Sequence, residues 1–297
     1  HLLLLPLIYD NLEQSGREHP WLPRIRGVYR KMWYASQIAL RSALNVVEAV
    51  QEQGQPALIA GAAALAHTAY PQPSLRPMLQ PEIIVPQAGA DIALRLLHSL
   101  GWQPRPAAPH LGSPAFRTWV AGQRFVNGRG QVLWLNWHVV PTLPCVELDA
   151  AFWAATTELT LDSRPSRTLC PADHLLRTCL TAADVGLIAL VDTAWLLRQG
   201  TIDWQRLLAM TERFHAGWPV LHVLGQLAEN GGPTAPPGII TLLRRLPASW
   251  ADKQFLTRLV ARPGEREAPL WQLLARYQRI VACNGNRLAD PIHFVAF

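Results

Sequence analysis

Apolar residues recur at helical spacing along the first part of the chain. Residues 2–14 fit a short helix, and a long helix is predicted from Pro23 to Gln53. Its apolar positions fall mostly three or four residues apart and therefore share one face: Val28, Met32, Ala35, Ile38, Leu40, Leu44 and Val47. Gly54 and Pro56 follow the helix and are typical of its end. The chain is thus predicted to begin with an antiparallel helical pair over 1–54.

The pattern changes after Pro56 to short apolar runs bounded by glycine and proline, as is typical of buried strands. Strands are predicted at 57–60, 82–86, 156–161 and 166–169. An antiparallel pair is predicted from 115–121 and 123–126 with 131–139, around a turn at 127–130. Helices are predicted at 62–70 and 90–100. This segment, 55–170, is therefore expected to be a small mixed-sheet core.

From Pro171 onward every periodic segment is helical. The predicted helices are 172–183, 186–199, 203–214, 217–230, 237–246, 252–261 and 268–282. The fold class is therefore α/β in the α+β sense, with N-terminal helices (1–54), a mixed-sheet core (55–170) and a C-terminal helical domain (171–297).

Composition narrows the class of protein. Hydrophobic residues make up 49% and charged residues 16%, which describes a globular chain with a large core. No apolar run reaches the roughly 20 residues of a membrane helix, and 2–8 fit an amphipathic helix better than a signal peptide. The four cysteines lack metal-binding spacing, so we expect reduced thiols in the cytoplasm. A net charge of +6 favours acidic partners such as nucleotides or nucleic acid.

Several motifs resemble one known family. The run Ala57-Leu58-Ile59-Ala60-Gly61-Ala62-Ala63-Ala64-Leu65 is followed by Leu75-Arg76-Pro77-Met78, and Trp134-Leu135-Asn136-Trp137 lies further along. Shorter matches occur at 5–12, 170–176, 191–192 and 202–204. Together they are similar to a bacterial family of uncharacterised nucleotidyltransferases in the polymerase-β-like superfamily, over residues 2–230. The resemblance implies a nucleotidyltransferase-like core.

The resemblance also implies where catalytic metal would bind. Nucleotidyl transfer uses two divalent ions that clamp the attacking and leaving oxygens, and Mg²⁺ prefers carboxylate ligands. In the family an Asp-x-Asp strand supplies two carboxylates on one face, and a neighbouring strand supplies a third. Gln80, Glu82 and Trp134 stand at these three positions, and Ala60 replaces the family's turn lysine. Only Glu82 keeps a carboxylate, so we predict a degenerate site with no metal and no cofactor; Mg²⁺ is expected only if the chain is active.

Other candidate residues have two open interpretations each. Gly61 and Ala62 can cradle a nucleotide phosphate at a helix start, or can simply form a tight turn. Arg76 can bind a phosphate or a partner's carboxylate, or can hold the proline-rich loop through an acid. Glu82 can bind one cation or face water.

Further candidates lie outside the three motif positions. His138 is predicted to be structural, while Glu147 and Asp149 are predicted to be solvated loop acids and, failing that, replacements for the lost carboxylate. Four basic residues lie near Trp33 and Tyr34 on the long helix: Arg24, Arg26, Arg30 and Lys31. They form the best candidate surface for nucleic acid or an acidic peptide, against the alternative of a solvated helix face.

Three functions follow as hypotheses. The first is an accessory protein that binds a nucleotide, a peptide or a protein through the former active-site cleft. The second is a Mg²⁺-dependent transferase with an altered metal site around Glu82. The third is a nucleic-acid-binding protein that uses the basic helix. No membrane partner is expected.

Overall fold

The structure is a computed structural model that describes residues 2–16, 19–247, 277–278, 280–281 and 283–284. The chain divides into two compact units. The first unit comprises His1–Arg117, Gly122–Trp137 and Thr156–Leu169, and the second comprises Thr118–Ala121, His138–Ala155 and the residues from Cys170 onward. The predicted α+β fold class is confirmed.

The first unit begins with the two predicted helices, α1 (Leu5–Gln14) and α2 (Leu22–Glu52), which pack against each other. Buried positions of α2 follow helical spacing in its second half: Ser36, Ala39, Leu40, Ala43, Leu44, Val46, Val47 and Val50. The helix ends before Gly54, whose φ of +69° is readily adopted by glycine. The long amphipathic helix predicted over 23–53 is therefore confirmed.

A five-stranded sheet forms the centre of the first unit. Its strands are β1 (Leu58–Ala60), β2 (Glu82–Ile84), β3 (Trp102–Pro104), β4 (Gly122–Asn127) and β5 (Val132–Asn136). The strand order is β1-β2-β5-β4-β3, and every neighbouring pair is antiparallel except β2 with β5. Helix α3 (Gly61–Thr68) follows β1, and helix α4 (Ala90–Ser99) lies between β2 and β3.

Register determines which side chains share a face of this sheet. Residues that face one another across strands point to the same side. One face is apolar and buried, with Ile59, Ile83, Leu133, Leu135 and Phe125 at most 3% exposed. The opposite face carries the polar residues of the candidate site.

Two segments near the sheet differ from the sequence prediction. Residues 115–121 were expected to be a strand, but Pro114–Trp119 form a helix, α5. The alternation of apolar and polar residues there resembles a strand pattern, yet Pro114 suits the first turn of a helix. Buried Arg117 binds Asp91 of α4 through both carboxylate oxygens, at 2.6 and 3.1 Å, and this fixes the helix. Strand β3 was not predicted, because three residues ending in proline give little signal.

The two predicted strands at the end of the first unit form an antiparallel pair, β6 (Thr157–Leu161) with β7 (Arg164–Thr168). Asp162 and Ser163 connect them with positive φ angles of 49° and 62°. The Thr168 hydroxyl donates a hydrogen bond to the carbonyl oxygen of Ile59 at 2.8 Å, so β7 is joined to β1.

In the described residues the second unit is helical. Its helices are α6 (Val146–Trp153), α7 (Pro171–Val185), α8 (Leu187–Arg198), α9 (Trp204–Arg213), α10 (Gly217–Glu229) and α11 (Pro237–Arg245). The last five were predicted and are confirmed, whereas α6 was not predicted. The predicted helix 252–261 and most of 268–282 lie outside the described residues, although Tyr277 and Ile280 are helical.

A buried ion pair anchors the start of α7. Arg206 donates from Nε and Nη2 to the two carboxylate oxygens of Asp173, at 2.9 and 2.7 Å, and Nη2 also donates to the carbonyl oxygen of Ala151. Burial raises the pKa of Asp173, and the Arg206 contacts act in the opposite direction. Asp173 of the 170–176 motif therefore pairs with Arg206 at the start of α7.

The cysteines differ from the expectation of four reduced thiols. Cys145 and Cys283 form a disulfide within the second unit, with their Cα atoms 6.1 Å apart. Their separation of 138 residues hid this pairing from the sequence. Cys170 and Cys179 are free thiols. Among the described residues, none of the helices has the length and apolarity that crossing a membrane requires.

Candidate functional site

The turn between β1 and α3 is the first part of the candidate site. Strand β1 ends at Ala60 and helix α3 begins at Gly61, which has a φ of +60°. Residues with a Cβ rarely adopt this conformation, so the turn requires glycine. The carboxylate of Glu82 lies against Gly61, because a Cβ placed on Gly61 would lie only 2.1 Å from Glu82 Oε1. The protein's own carboxylate thus occupies the space beside the turn.

Glu82 is held in this position from two sides. It begins β2 and is half-buried, opposite Ala60 of β1 and Trp134 of β5. Asn136, which is 2% exposed, donates a hydrogen bond from Nδ2 to Glu82 Oε2 at 3.3 Å. Gly122 leaves room for this amide, since a Cβ there would lie 1.9 Å from Asn136 Oδ1.

Gln80 and Trp134 hydrogen bond to each other. Gln80 is exposed, just before β2, and its Oε1 accepts a hydrogen bond from the indole Nε1 of Trp134 at 3.2 Å. The backbone N–H of Trp134 donates to the carbonyl oxygen of Pro81 at 3.0 Å. Pro81 precedes the strand, as its missing N–H favours. The indole is 36% exposed, so it presents a ring surface to solvent.

Arg124 is a residue of this face that the sequence did not single out. It lies on β4, directly opposite Trp134 of β5. Its side chain is half-buried, and its Nε is shielded from solvent without a hydrogen-bond partner in the described part of the chain. The residues of β4 do not alternate between apolar and polar, so the pairing with β5 was needed to place Arg124 beside Trp134.

The other nucleotide-binding candidates lie in the same unit. Ala62 is half-buried in the first turn of α3. Arg76 is 7% exposed, and its Nη1 donates a hydrogen bond to the carbonyl oxygen of Pro77 at 3.1 Å. This contact stabilises the loop that leads towards Gln80. The structure therefore brings Gly61 and Glu82 together, and Gln80 and Trp134 together.

His138 and Asp149 form a buried pair in the second unit. The two side chains are 2.5 Å apart between His138 Nδ1 and Asp149 Oδ2, and His138 is 1% exposed. The backbone N–H of Val139 donates to Asp149 Oδ1 at 2.7 Å, and Arg177 donates to the carbonyl oxygen of Val139. His138 is buried and paired with Asp149, and a structural role for it stays a prediction. Asp149 was expected to be a solvated loop acid and is instead a buried residue of α6, since the prolines before it concealed the helix.

The remaining acid, Glu147, is exposed. Glu147 lies on the first turn of α6, 3.9 Å from Arg213.

On α2, Arg26 binds the Tyr9 hydroxyl and Glu13, and Arg24 lies 5.4 Å from the Trp21 ring centre. Arg30, Lys31 and Tyr34 are exposed, and Trp33 is half-buried. Part of the predicted basic surface is therefore used in contacts with α1.

No group of three or more histidine, cysteine, aspartate or glutamate side chains is arranged to hold a metal ion in the described residues. The only acid among the three positions that the resemblance assigns to metal carboxylates is Glu82. Its contacts include the Gly61 turn and the Asn136 amide.

Comparisons with known proteins identify one family. The profile of a family described as "Uncharacterised nucleotidyltransferase" matches residues 2–231, which include every strand of the candidate site. No curated protein and no solved structure matches the chain. The match covers well over half of the 297 residues and agrees in extent with the motifs found in the sequence. The chain belongs to the family of uncharacterised nucleotidyltransferases.

Proposed function

We propose that this protein is a catalytically degenerate nucleotidyltransferase that acts as a binding or accessory protein. The observation that carries the proposal is which residues occupy the three expected metal positions and what those side chains contact. Gln80 and Trp134 hydrogen bond to each other, and Glu82 is bound by Asn136 and packed against Gly61. At these three positions the side chains bond to one another or to Asn136 and do not converge as a set of metal-binding carboxylates.

The chemistry of the reaction explains why this arrangement argues against transfer. Two-metal catalysis needs several hard anionic ligands, and Mg²⁺ gives up its water shell reluctantly. An indole cannot ligate Mg²⁺, and a glutamine offers a neutral oxygen. The Asn136 amide contacts one oxygen of Glu82 and the Gly61 turn lies against the other, so these contacts compete with a metal ion.

The proposed binding surface is the polar face of the five-stranded sheet around Trp134. The exposed indole and the neighbouring Arg124 supply an aromatic ring and a cation there. Nucleotides, peptides and proteins all present groups that such a surface can bind. An active transferase built around Glu82 would need a replacement acid, and both oxygens of Asp149 are already engaged with His138 and Val139.

A transfer assay tests the loss of catalysis. The protein is incubated with each ribonucleoside triphosphate, labelled at the α-phosphate, in Mg²⁺ or Mn²⁺. Label is followed on the protein, on added acceptors and in released nucleotide. We expect turnover no faster than with Glu82→Ala. Mg²⁺-dependent turnover that Glu82→Ala abolishes would show that the chain is an active transferase and that our proposal is wrong.

A further inference from the structure

A pocket separate from the candidate site lies in the first unit, beside the turn that joins β4 and β5. Its volume is about 420 Å³, which is within the range of small-molecule sites. Its walls come from α2, from the end of α4 with the start of β3, and from the turn itself. None of the described lining residues is a residue of the candidate site.

The side-chain amide of Gln131, in the wall of this pocket, has a fixed orientation. Asn127 Oδ1 accepts hydrogen bonds from the backbone N–H groups of Arg129 and Gln131, at 3.0 and 3.1 Å, so Asn127 Nδ2 is the donating end. This Nδ2 group donates to Gln131 Oε1 at 2.6 Å, and the Ser42 hydroxyl donates to the same oxygen at 2.8 Å. The free end of Gln131 is therefore its NH₂ group, which makes no hydrogen bond within the described structure.

Asn45 of α2 supplies a second free amide group to the pocket. Arg164 donates from Nη1 to Asn45 Oδ1 at 2.7 Å, and because a guanidinium only donates, this atom must be the amide oxygen. The NH₂ group of Asn45 makes no hydrogen bond in the described part of the chain. Asn45 is exposed and Gln131 is half-buried, so a ligand from solvent reaches both side chains.

The pocket combines these donors with acceptors and with little net charge. Leu100 and Gly101 follow the last turn of α4, where backbone carbonyl groups lack partners within the helix. This helix end carries partial negative charge, and exposed Arg129 is the one cation among the described lining residues. A phosphate or carboxylate ligand would use the donors but not the carbonyl groups, so the pocket fits a neutral ligand that both donates and accepts.

We propose that this pocket binds a neutral saccharide. Each sugar hydroxyl donates and accepts, so one ring can use both the amide NH₂ groups and the carbonyl groups. Leu100 is 47% exposed and offers apolar surface to the C–H face of a sugar ring. The inference goes beyond the proposed function, because it concerns a different site and does not depend on the metal positions.

Saturation-transfer NMR with glucose, N-acetylglucosamine and maltose tests the proposal. At least one of these sugars should receive saturation from the wild-type protein, and a titration then gives its Kd. Asn45→Ala should weaken binding roughly threefold or more, as expected for the loss of one hydrogen bond. Glu48→Ala is the matched control, because Glu48 also accepts from Arg164 Nη1, at 3.0 Å, but does not line the pocket. It should leave the Kd unchanged within about twofold.

Three results would overturn the inference. The first is that none of the three sugars binds. The second is that glucose-6-phosphate binds much more tightly than glucose, which would identify an anion site. The third is that Asn45→Ala and Glu48→Ala weaken binding equally, which would assign the effect to Arg164. Each of these results leaves the proposed function standing, since that function is tested by nucleotidyl transfer.

Amide hydrogen exchange locates the ligand independently of any variant. Adding the sugar that binds should slow exchange in 98–102 and 127–131 and leave 61–68 and 82–84 unchanged. Slower exchange confined to other segments would refute the assignment to this pocket. Gln131→Ala is a second variant should Asn45→Ala fail to fold, which its melting curve would reveal. It removes the other free NH₂ group and should weaken binding by a similar factor.

Discussion

Gly61→Ala tests whether the Glu82 carboxylate occupies the turn. The added methyl group has two effects that the structure separates. The first is backbone strain, because Gly61 has a φ of +60°. The second is a clash, because the new Cβ would lie 2.1 Å from Glu82 Oε1 and the carboxylate must move. Movement of the carboxylate breaks its hydrogen bond with Asn136.

The two effects have known sizes. A left-handed conformation costs a non-glycine residue about 1–2 kcal/mol. A hydrogen bond to a charged group contributes about 1.5–3 kcal/mol. Gly61→Ala should therefore lower the free energy of unfolding by roughly 3 kcal/mol. In a Glu82→Ala background the clash is absent, so the same change should cost only the strain of about 1–2 kcal/mol.

Urea unfolding of the two single variants and the double variant measures this coupling. We expect the double variant to be more stable than additivity predicts by about 1.5 kcal/mol. Gly130→Ala is the matched control, since Gly130 also has a positive φ, +74°, but a Cβ added there would meet nothing within 4 Å. Its effect should be the same with and without Glu82. Additive effects of Gly61→Ala and Glu82→Ala would refute the placement of the carboxylate.

Two further predictions concern the second unit. The Cys145–Cys283 bridge closes 138 residues, so the Cys145→Ala/Cys283→Ala variant should lose up to about 5 kcal/mol of unfolding free energy. Cys170→Ala is the control and should lose less than about 1 kcal/mol. Equal losses of unfolding free energy in the two variants, measured by urea unfolding, would contradict the bridge's role. Burial, assisted by the nearby Arg177 charge, lowers the pKa of His174 to about 3. As the pH falls, His174 takes up a proton near pH 6.5 in the unfolded chain but only near pH 3 in the folded protein. The free energy of unfolding therefore falls as the pH falls from about 6.5 towards 3, by about 1.4 kcal/mol per pH unit. His174→Gln should flatten the urea-derived stability profile between pH 7 and 4.5, and exposed His19→Gln should leave the profile unchanged.

The sequence predicted long elements better than short ones. Helix α2 repeats its apolar positions over 31 residues, which is long enough to define its period. Strand β3 is as short as β1 and β2 but lacks the apolar run that marked those two strands, and α5 has only six residues, too few to define a period. Helix α6 begins two residues after Pro144, and the prolines before it were interpreted as a loop signal.

The candidate site shows a different limit. Motif comparison placed Gln80, Glu82 and Trp134 on neighbouring strands, because the family fixes which strands carry them. It did not predict that Glu82 contacts Gly61, since that contact depends on the Ala60–Glu82 register. Arg124 was missed for the same reason: its position beside Trp134 depends on the β4–β5 register.

The sign of the stability change at Glu82 distinguishes a degenerate site from a working one. In a working two-metal site several carboxylates lie close together, and removing one in metal-free buffer relieves repulsion and raises stability. Here Glu82 has no acidic neighbour at the other two motif positions, and it accepts a hydrogen bond from buried Asn136. Glu82→Ala leaves that amide without its partner, so in EDTA it should lower the free energy of unfolding by about 1–2 kcal/mol.

Glu82→Gln separates the charge from the hydrogen bond in the same experiment. Its side-chain carbonyl oxygen can still accept from Asn136, so this variant should be less destabilised than Glu82→Ala, by less than about 1 kcal/mol relative to wild type. Differential scanning calorimetry in EDTA and in Mg²⁺ measures both variants. If both variants are more stable than wild type in EDTA, and if Mg²⁺ stabilises only the wild type, then Glu82 lies in a repulsive, metal-binding cluster. The contacts of Glu82 with Asn136 and Gly61 would then not be the dominant interactions of this carboxylate.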